Sequence, residues 1–149
     1  MELLRNSKEK PRILLVEDNP GDIRLTQEAF KESSLDIQMD VVTDGEMALD
    51  FLFKKGRYAD AIKPDVVLLD LNLPKKNGIE VLKEVKADET LKRIPVIVLT
   101  TSDADHDISK AYGLHANCYI LKPVDFDDFA KVIRLIESFW FKAVQLVHD

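Results

Sequence analysis

The chain has 149 residues, a formal net charge of −6 and 46% hydrophobic residues. This length favours a single domain, which can bury roughly 68–70% of the surface that the unfolded chain exposes. The acidic balance argues against a free-standing binder of nucleic acid or anionic membranes, because both surfaces repel a negatively charged protein without a basic patch.

Cysteine content and the N-terminus indicate a cytoplasmic setting. The single cysteine, Cys118, has no partner for an internal disulfide and lies in an apolar run typical of a buried thiol. No stretch of about 18 apolar residues predicts a membrane span. Residues 1–10 lack the apolar core of a secretory signal, so we expect a mobile leader there and one domain over residues 11–149.

Five short apolar runs predict buried β-strands, because strands covered on both faces show continuous rather than alternating hydrophobicity. In chain order these are residues 13–16, 37–42, 66–69, 96–99 and 118–121. Between and after them lie five segments with helical spacing, at about 20–33, 44–55, 78–86, 105–114 and 125–147.

Helix start signals support this alternation. Asn19 before Pro20 predicts an N-cap followed by proline at the first helical position, and Asp44 predicts the cap of the second helix. Strands that alternate with helices through right-handed crossovers build a doubly wound sheet. We therefore predict an α/β, flavodoxin-like fold with a five-stranded parallel sheet of order 2-1-3-4-5 and five helices.

Polar side chains follow four of the predicted strands. Glu17 and Asp18 follow the first, Asp70 follows the third, and Thr100 and Lys122 follow the fourth and fifth. Ligands bind at the carboxyl ends of strands in such sheets, so we expect one composite site. Carboxylates held together repel unless a hard divalent cation or an ammonium joins them. The pattern predicts metal-assisted phosphoryl chemistry at a carboxylate.

Each of these residues also has a plain structural interpretation. Asp70 alone could cap a turn, and Glu17 with Asp18 could begin a solvated helix. Lys122 could be a surface lysine, and Thr100 could start a loop. Their joint placement at successive strand ends favours the functional interpretation, because structural context is what gives a short motif its meaning.

Four motifs resemble those of response-regulator receiver domains, over about residues 11–140. They read LVEDN at 15–19, LLDLNLP at 68–74 followed by Gly78, LTTS at 99–102 and YILKP at 119–123. Within this family the chain is similar to single-domain regulators that serve phytochrome-type sensor kinases. That narrower resemblance depends on Arg57-Tyr58, NLPKK at 72–76 and ESFW at 137–140.

The resemblance implies that Asp70 accepts a phosphoryl group from the phosphohistidine of a sensor histidine kinase, with Lys122 and Thr100 contacting the phosphoryl oxygens. It implies Mg²⁺ as the cofactor. Asp18 and Asp70 would bind it directly, together with the main-chain carbonyl of Asn72, and Glu17 would act through water. This sparse oxygen set suits Mg²⁺, which retains several waters.

The resemblance also implies a switch. Phosphorylation would draw the Thr100 hydroxyl toward the phosphoryl group and let Tyr119 turn inward, which alters the face formed by helix 4, strand 5 and helix 5. A tyrosine that merely satisfies its buried hydroxyl is the alternative. Asn72 and Ser102 would flank the path of hydrolytic water and tune the lifetime of the phosphorylated form. The Lys122–Pro123 peptide bond is expected to be cis.

The last predicted helix carries two apolar stripes about 100° apart on a helical wheel. The first, at positions 126, 129, 133, 136 and 140, suits the sheet. The second, at 132, 135, 139, 143 and 146, either tucks under loops or frays, or else forms a homodimer or kinase-docking surface. Phe139, Trp140 and Phe141 are the candidate interface residues, with Phe141 expected to project among polar side chains.

Two classes of function follow. The first is a signalling switch that catalyses only its own phosphorylation and dephosphorylation, and that signals by protein contact because no output domain is expected after Asp149. The second is a phosphatase or phosphotransferase similar to the haloacid-dehalogenase superfamily. That superfamily needs a second Asp two residues after the nucleophile, where this chain has Asn72. A pseudo-receiver used only for docking is disfavoured, because Asp18, Asp70, Thr100 and Lys122 are all present.

Overall fold

A computed structural model describes residues 10–32 and 35–143. Five parallel strands form one sheet in the order β2-β1-β3-β4-β5, which confirms the predicted fold. The strands are β1 (Arg12–Val16), β2 (Gln38–Val42), β3 (Val66–Leu69), β4 (Val96–Thr100) and β5 (Cys118–Leu121). The predicted leader lies outside the described residues apart from Lys10.

Five α-helices connect and cover the strands. They are α1 (Pro20–Lys31), α2 (Gly45–Leu52), α3 (Gly78–Ala87), α4 (Asp105–Gly113) and α5 (Phe126–Glu137). Both predicted caps are confirmed: Asn19 Oδ1 accepts from the Asp22 N–H at 3.0 Å, and Asp44 Oδ1 accepts from the Met47 N–H at 2.7 Å. Short 3₁₀ turns lie at Gly56–Tyr58 and Leu91–Arg93.

Each face of the sheet has its own apolar core, which explains the continuous hydrophobicity of the strands. One core joins alternate strand residues to α2, α3 and α4. The other joins the intervening strand residues to α1 and α5, through Phe30, Phe129, Ile133 and Ile136. The strand residues Ile13, Leu14, Val66 and Leu68 are completely buried, which is worth about 1.5–3 kcal/mol for each side chain.

The C-terminal segment departs from the predicted straight α-helix. The α-helix ends at Glu137 and continues as a π-helical segment, Ser138–Ala143, while residues 144–147 lie outside the described part of the chain. A π turn holds more residues than an α turn and rotates the side chains that follow it. Trp140 and Phe141 both pack, half-buried, against the α1–α5 core, so the expectation that Phe141 projects among polar residues is wrong.

The two stripes on α5 differ in exposure. Phe129, Ile133 and Ile136 of the first stripe are buried, although Phe126 is 55% exposed and does not share their environment. In the second stripe Leu135 is 68% exposed and Phe139 is 55% exposed. No helix within the described ranges is both long enough and apolar enough to cross a membrane.

Candidate functional site

The parallel register brings the polar strand ends to one edge of the sheet. Val16 of β1 pairs with Leu69 of β3, and Thr100 of β4 pairs with Leu121 of β5. The main-chain ladder continues past the strand ends: the Asp70 N–H donates to the Val16 carbonyl at 3.0 Å, and the Lys122 N–H donates to the Thr100 carbonyl at 2.8 Å. The backbone thereby fixes where the functional side chains begin.

Lys122 lies at the centre of the site. Its Nζ donates to Glu17 Oε1 at 2.5 Å, to Asp70 Oδ2 at 2.9 Å and to Asp22 Oδ2 at 2.9 Å. The lysine side chain is 5% exposed. An ammonium has three N–H donors, so the three carboxylates occupy its full hydrogen-bonding capacity.

Asp70 is held from both of its oxygens. While Oδ2 accepts from Lys122, Oδ1 accepts from the Thr100 hydroxyl at 2.8 Å and from the Asn72 N–H at 3.1 Å. Asp70 is 7% exposed and Thr100 is fully buried. The carboxylate is therefore oriented by a cation, a hydroxyl and a backbone amide, each of which stabilises negative charge on oxygen.

Three carboxylates form a cluster that suits a hard cation. Glu17, Asp18 and Asp70 each offer an oxygen, and these atoms all lie within 4.8 Å of one another. Glu17 and Asp70 are buried whereas Asp18 is exposed, so the cluster opens to solvent on one side. Mg²⁺ prefers a few carboxylates and keeps several waters, which matches this arrangement. The donor set fits the metal predicted from the sequence.

Burial and neighbouring charges shift the pKa values of the two buried carboxyls in opposite directions. Burial, together with the nearby Asp70, raises the pKa of Glu17 from 4.5 to about 7 against the opposing effect of Lys122. Burial also acts to raise the pKa of Asp70, but hydrogen bonds from Lys122 and the Asn72 N–H hold it below its usual value. The pKa of Lys122 is raised, because its three carboxylates outweigh its desolvation. The Asp70 carboxyl is thus ionised at neutral pH.

Two glycines at helix starts pack so closely against the loop after Asp70 that neither position has room for a side chain. A Cβ at Gly78, the first residue of α3, would lie 2.4 Å from the Asp70 carbonyl oxygen. A Cβ at Gly45, the first residue of α2, would lie 1.9 Å from the Lys76 carbonyl oxygen. Both contacts are with backbone, which cannot move aside cheaply. The two helix starts therefore hold the loop that carries Asp70 and Asn72.

Ser102 connects Thr100 to Tyr119. The Tyr119 hydroxyl donates to the Ser102 carbonyl at 2.8 Å, and the Ser102 N–H lies 3.5 Å from Thr100 Oγ1. The Ser102 hydroxyl donates to Asp107 Oδ2 at 2.6 Å. The Tyr119 N–H, on the edge strand, donates to the Tyr112 hydroxyl at 3.1 Å. The loop between β4 and α4 is thus bonded to both predicted switch residues.

Sequence reasoning missed Asp22 as a residue of the site and predicted the wrong isomer for the peptide bond before Pro123. Asp22 contacts Lys122, and the available signal was its position four residues after Asp18, one helical turn further along the chain. The Lys122–Pro123 bond is trans rather than cis, since no cis peptide occurs among the described residues. The trans isomer of such bonds is intrinsically favoured by about 0.5–1 kcal/mol.

Comparisons with known proteins agree with this geometry. A family model described as the response regulator receiver domain matches residues 13–134. The response regulator Rcp1 of Synechocystis sp. (strain ATCC 27184 / PCC 6803 / Kazusa) is 48% identical over 134 residues, which cover 90% of this chain and 91% of Rcp1.

Two solved structures are also similar. The phosphorylated cyanobacterial phytochrome response regulator RcpA matches with a TM-score of 0.92 and 48% identity, over 94% of this chain and 100% of that one. The Mn²⁺-bound form of Rcp1 matches with a TM-score of 0.90 and 47% identity, over 93% and 99% of the two chains.

Proposed function

Because this chain belongs to the response regulator receiver family, we propose that it is a signalling switch whose Asp70 accepts a phosphoryl group from a sensor histidine kinase. The observation that carries the proposal is the environment of Asp70. Its carboxylate is buried, ionised and oriented by Lys122 and Thr100, next to a carboxylate cluster suited to a cation.

The chemistry needs positioning and positive charge more than covalent machinery. One oxygen of Asp70 attacks phosphorus as the bond between phosphorus and the kinase histidine nitrogen breaks, and the imidazole keeps that electron pair. The transition state is loose and spreads charge over three equatorial oxygens. Lys122 and the Thr100 hydroxyl are close enough to Asp70 to contact two of these oxygens.

We assign Mg²⁺ to the oxygens of Asp18 and Asp70 and to the carbonyl of Asn72, with Glu17 acting through water. Bound there, the cation would supply positive charge to the phosphoryl oxygens. Support comes from the donor set of this chain and from the Mn²⁺-bound form of Rcp1. The protein's own contribution is to hold mutually repelling carboxylates close together, and Lys122 does this for Glu17 and Asp70, which it bonds directly.

We further propose that Thr100 and Tyr119 transmit phosphorylation to the surface formed by α4, β5 and α5. In the unphosphorylated protein the Thr100 hydroxyl donates to Asp70, and after phosphorylation it would donate to a phosphoryl oxygen. Ser102, next to it, supplies the acceptor for the Tyr119 hydroxyl, so a shift of this loop releases the tyrosine. The phosphoryl group shifts the population only if it binds the released arrangement more strongly. Asn72 and Ser102 are assigned to the lifetime of the phosphorylated form.

The partners proposed are a phytochrome-type kinase and a second copy of the chain. Similarity to a phytochrome response regulator supports the first. Leu135 and Phe139, four residues apart on the same side, are exposed and support the second. Phe139 packs edge-on against Trp140 with ring centroids 5.3 Å apart, whereas Trp140 and Phe141 pack against the α1–α5 core. Sedimentation that shows a monomer at micromolar concentration, with and without phosphorylation, would contradict the homodimer.

The test of the central proposal is intact-mass analysis of the protein incubated with acetyl phosphate and Mg²⁺. We expect a mass increase of one phosphoryl group in the wild type, none in Asp70→Asn, and none when the cation is chelated. Asp65→Asn is the control for loss of one acidic group away from the site. Asp65 accepts from the N–H of Arg12, the first residue of β1, at 2.8 Å and so lies at the opposite end of the strands. Failure of the wild type to become labelled would refute the function.

A further inference from the structure

We infer that Asp22 is a positioning residue that restrains Lys122 and slows phosphorylation, an inference that rests on the function proposed above. Asp22 lies in the first turn of α1, and its Oδ2 accepts from Lys122 Nζ at 2.9 Å. Its backbone is fixed at both ends: its N–H donates to Asn19 Oδ1 at 3.0 Å, and its carbonyl accepts from Thr26 Oγ1 at 2.7 Å. The start of the helix thus holds this carboxylate against the lysine.

The restraint follows from the number of donors on the ammonium. Each of its three N–H groups already has a carboxylate acceptor, so Lys122 must release one of them to contact a phosphoryl oxygen. Asp70 loses its own negative charge when it becomes an acyl phosphate. Asp22 is not modified in the reaction, so its carboxylate stays charged and keeps competing with the phosphoryl oxygens for the ammonium.

The charge of Asp22 also acts on the incoming donor. The Asp22 side chain is 27% exposed and the Lys122 side chain is 5% exposed, so solvent screens this contact only in part. A fourth carboxylate beside Glu17, Asp18 and Asp70 adds repulsion against an anionic phosphodonor. Removal of the charge should therefore free an N–H for the phosphoryl group and admit the donor more readily. Both effects raise the rate of phosphorylation.

The small donor acetyl phosphate isolates this effect from kinase docking. One Asp70 oxygen attacks phosphorus while the phosphorus–oxygen bond to acetate breaks, and acetate leaves with that electron pair. Asp22 contributes no atom to this step and acts only through Lys122. Any general damage to α1 would slow labelling, whereas the inference predicts acceleration, so the two explanations differ in sign.

The experiment compares labelling rate constants of the full chain at saturating Mg²⁺, which is established by titration for each variant. We expect Asp22→Asn to react about three- to fivefold faster than the wild type, the upper part of the range of a partly screened ionic contact. Asp22→Glu, which keeps the charge, should stay within about twofold of the wild type. The control is Glu28→Gln, which removes one charge from the same helix at a side chain 57% exposed and paired with Lys31.

Salt dependence supplies a second readout that a structural role would not change. The ratio of the Asp22→Asn rate to the wild-type rate should fall as ionic strength rises from about 0.02 M to about 0.5 M, because donor repulsion is screened. A labelled wild type with Asp22→Asn no faster than Glu28→Gln would overturn the inference and leave the proposed function intact. A wild type that is never labelled removes the proposed function, and the inference falls with it.

Discussion

Replacement of Glu17 by Gln should stabilise the cation-free protein at alkaline pH. Glu17 is 3% exposed, and its burial beside Asp70 raises its pKa from 4.5 to about 7. The folded state therefore binds this proton more tightly than the unfolded state does, so the free energy of unfolding falls as pH rises from 4.5 through about 7. Gln carries no charge at any pH and avoids that loss.

The displacement from 4.5 to about 7 corresponds to an upper limit of about 3 kcal/mol, since each pKa unit is worth about 1.4 kcal/mol. Gln also gives up the charge-assisted bond to Lys122, so we expect a net gain of about 1–2 kcal/mol above pH 8. For a protein of this size that gain raises Tm by about 2–8 °C. The lowered pKa of Asp70 acts in the opposite sense, but only below its ordinary value of 3.8, outside this window.

Thermal unfolding followed by circular dichroism in EDTA, from about pH 4 to about pH 9, measures this difference. The gap between Glu17→Gln and the wild type should be small near pH 4.5 and reach its full size above about pH 8. Glu28→Gln, at an exposed site, serves as the control. A gap that does not change with pH, or a Glu17→Gln variant that is less stable at pH 8, would refute the reasoning. Saturating Mg²⁺ should reverse the order by binding the wild type more tightly.

Three further perturbations test other parts of the molecule. Lys122→Met leaves three carboxylates uncompensated and should lower the free energy of unfolding in EDTA by about 3–5 kcal/mol. Mg²⁺ should add more stability to this variant than to the wild type, and urea unfolding measures both effects. Gly78→Ala should cost about 1–3 kcal/mol in the same assay and slow labelling, because its Cβ would strike the Asp70 carbonyl, whereas Gly113→Ala, with open space around it, should do neither. Phe139→Glu should abolish self-association in sedimentation and leave labelling within about twofold of the wild type.

The sheet was predictable because the strands are short and mostly apolar, with Gln38 and Asp40 of the edge strand β2 as the main exceptions. Burial on two faces removes the alternation that an exposed face would impose, and this pattern implies helices on both sides. Once the strand order is predicted, the residue after each parallel strand can be placed at the carboxyl edge of the sheet. That is why Asp70, Thr100 and Lys122 could be placed together from the sequence alone.

The parts that were missed depend on packing rather than on pattern. The contact between Asp22 and Lys122 depends on how closely the first turn of α1 lies to the residue after β5, and the spacing of Asp22 from Asp18 does not specify that distance. The π-helical segment after Glu137 has the same apolar spacing as an α-helix would, so periodicity could not reveal it. Phe141 was misplaced for this reason. The expectation of a cis bond before Pro123 came from the family resemblance and not from the residues, and the structure has the intrinsically favoured trans bond there.

Backbone bonds extend past the ends of β1, β3 and β5 and fix the groups that would carry the reaction. Asp70 and Thr100 lie at the ends of the fully buried β3 and β4, whereas the nearby Asp103 and His106 are exposed, in the loop before α4 and in its first turn. Substitutions on that rim can alter which protein approaches without disturbing the buried geometry beneath it. A protein built in this way can acquire new partner proteins while its phosphate chemistry stays unchanged.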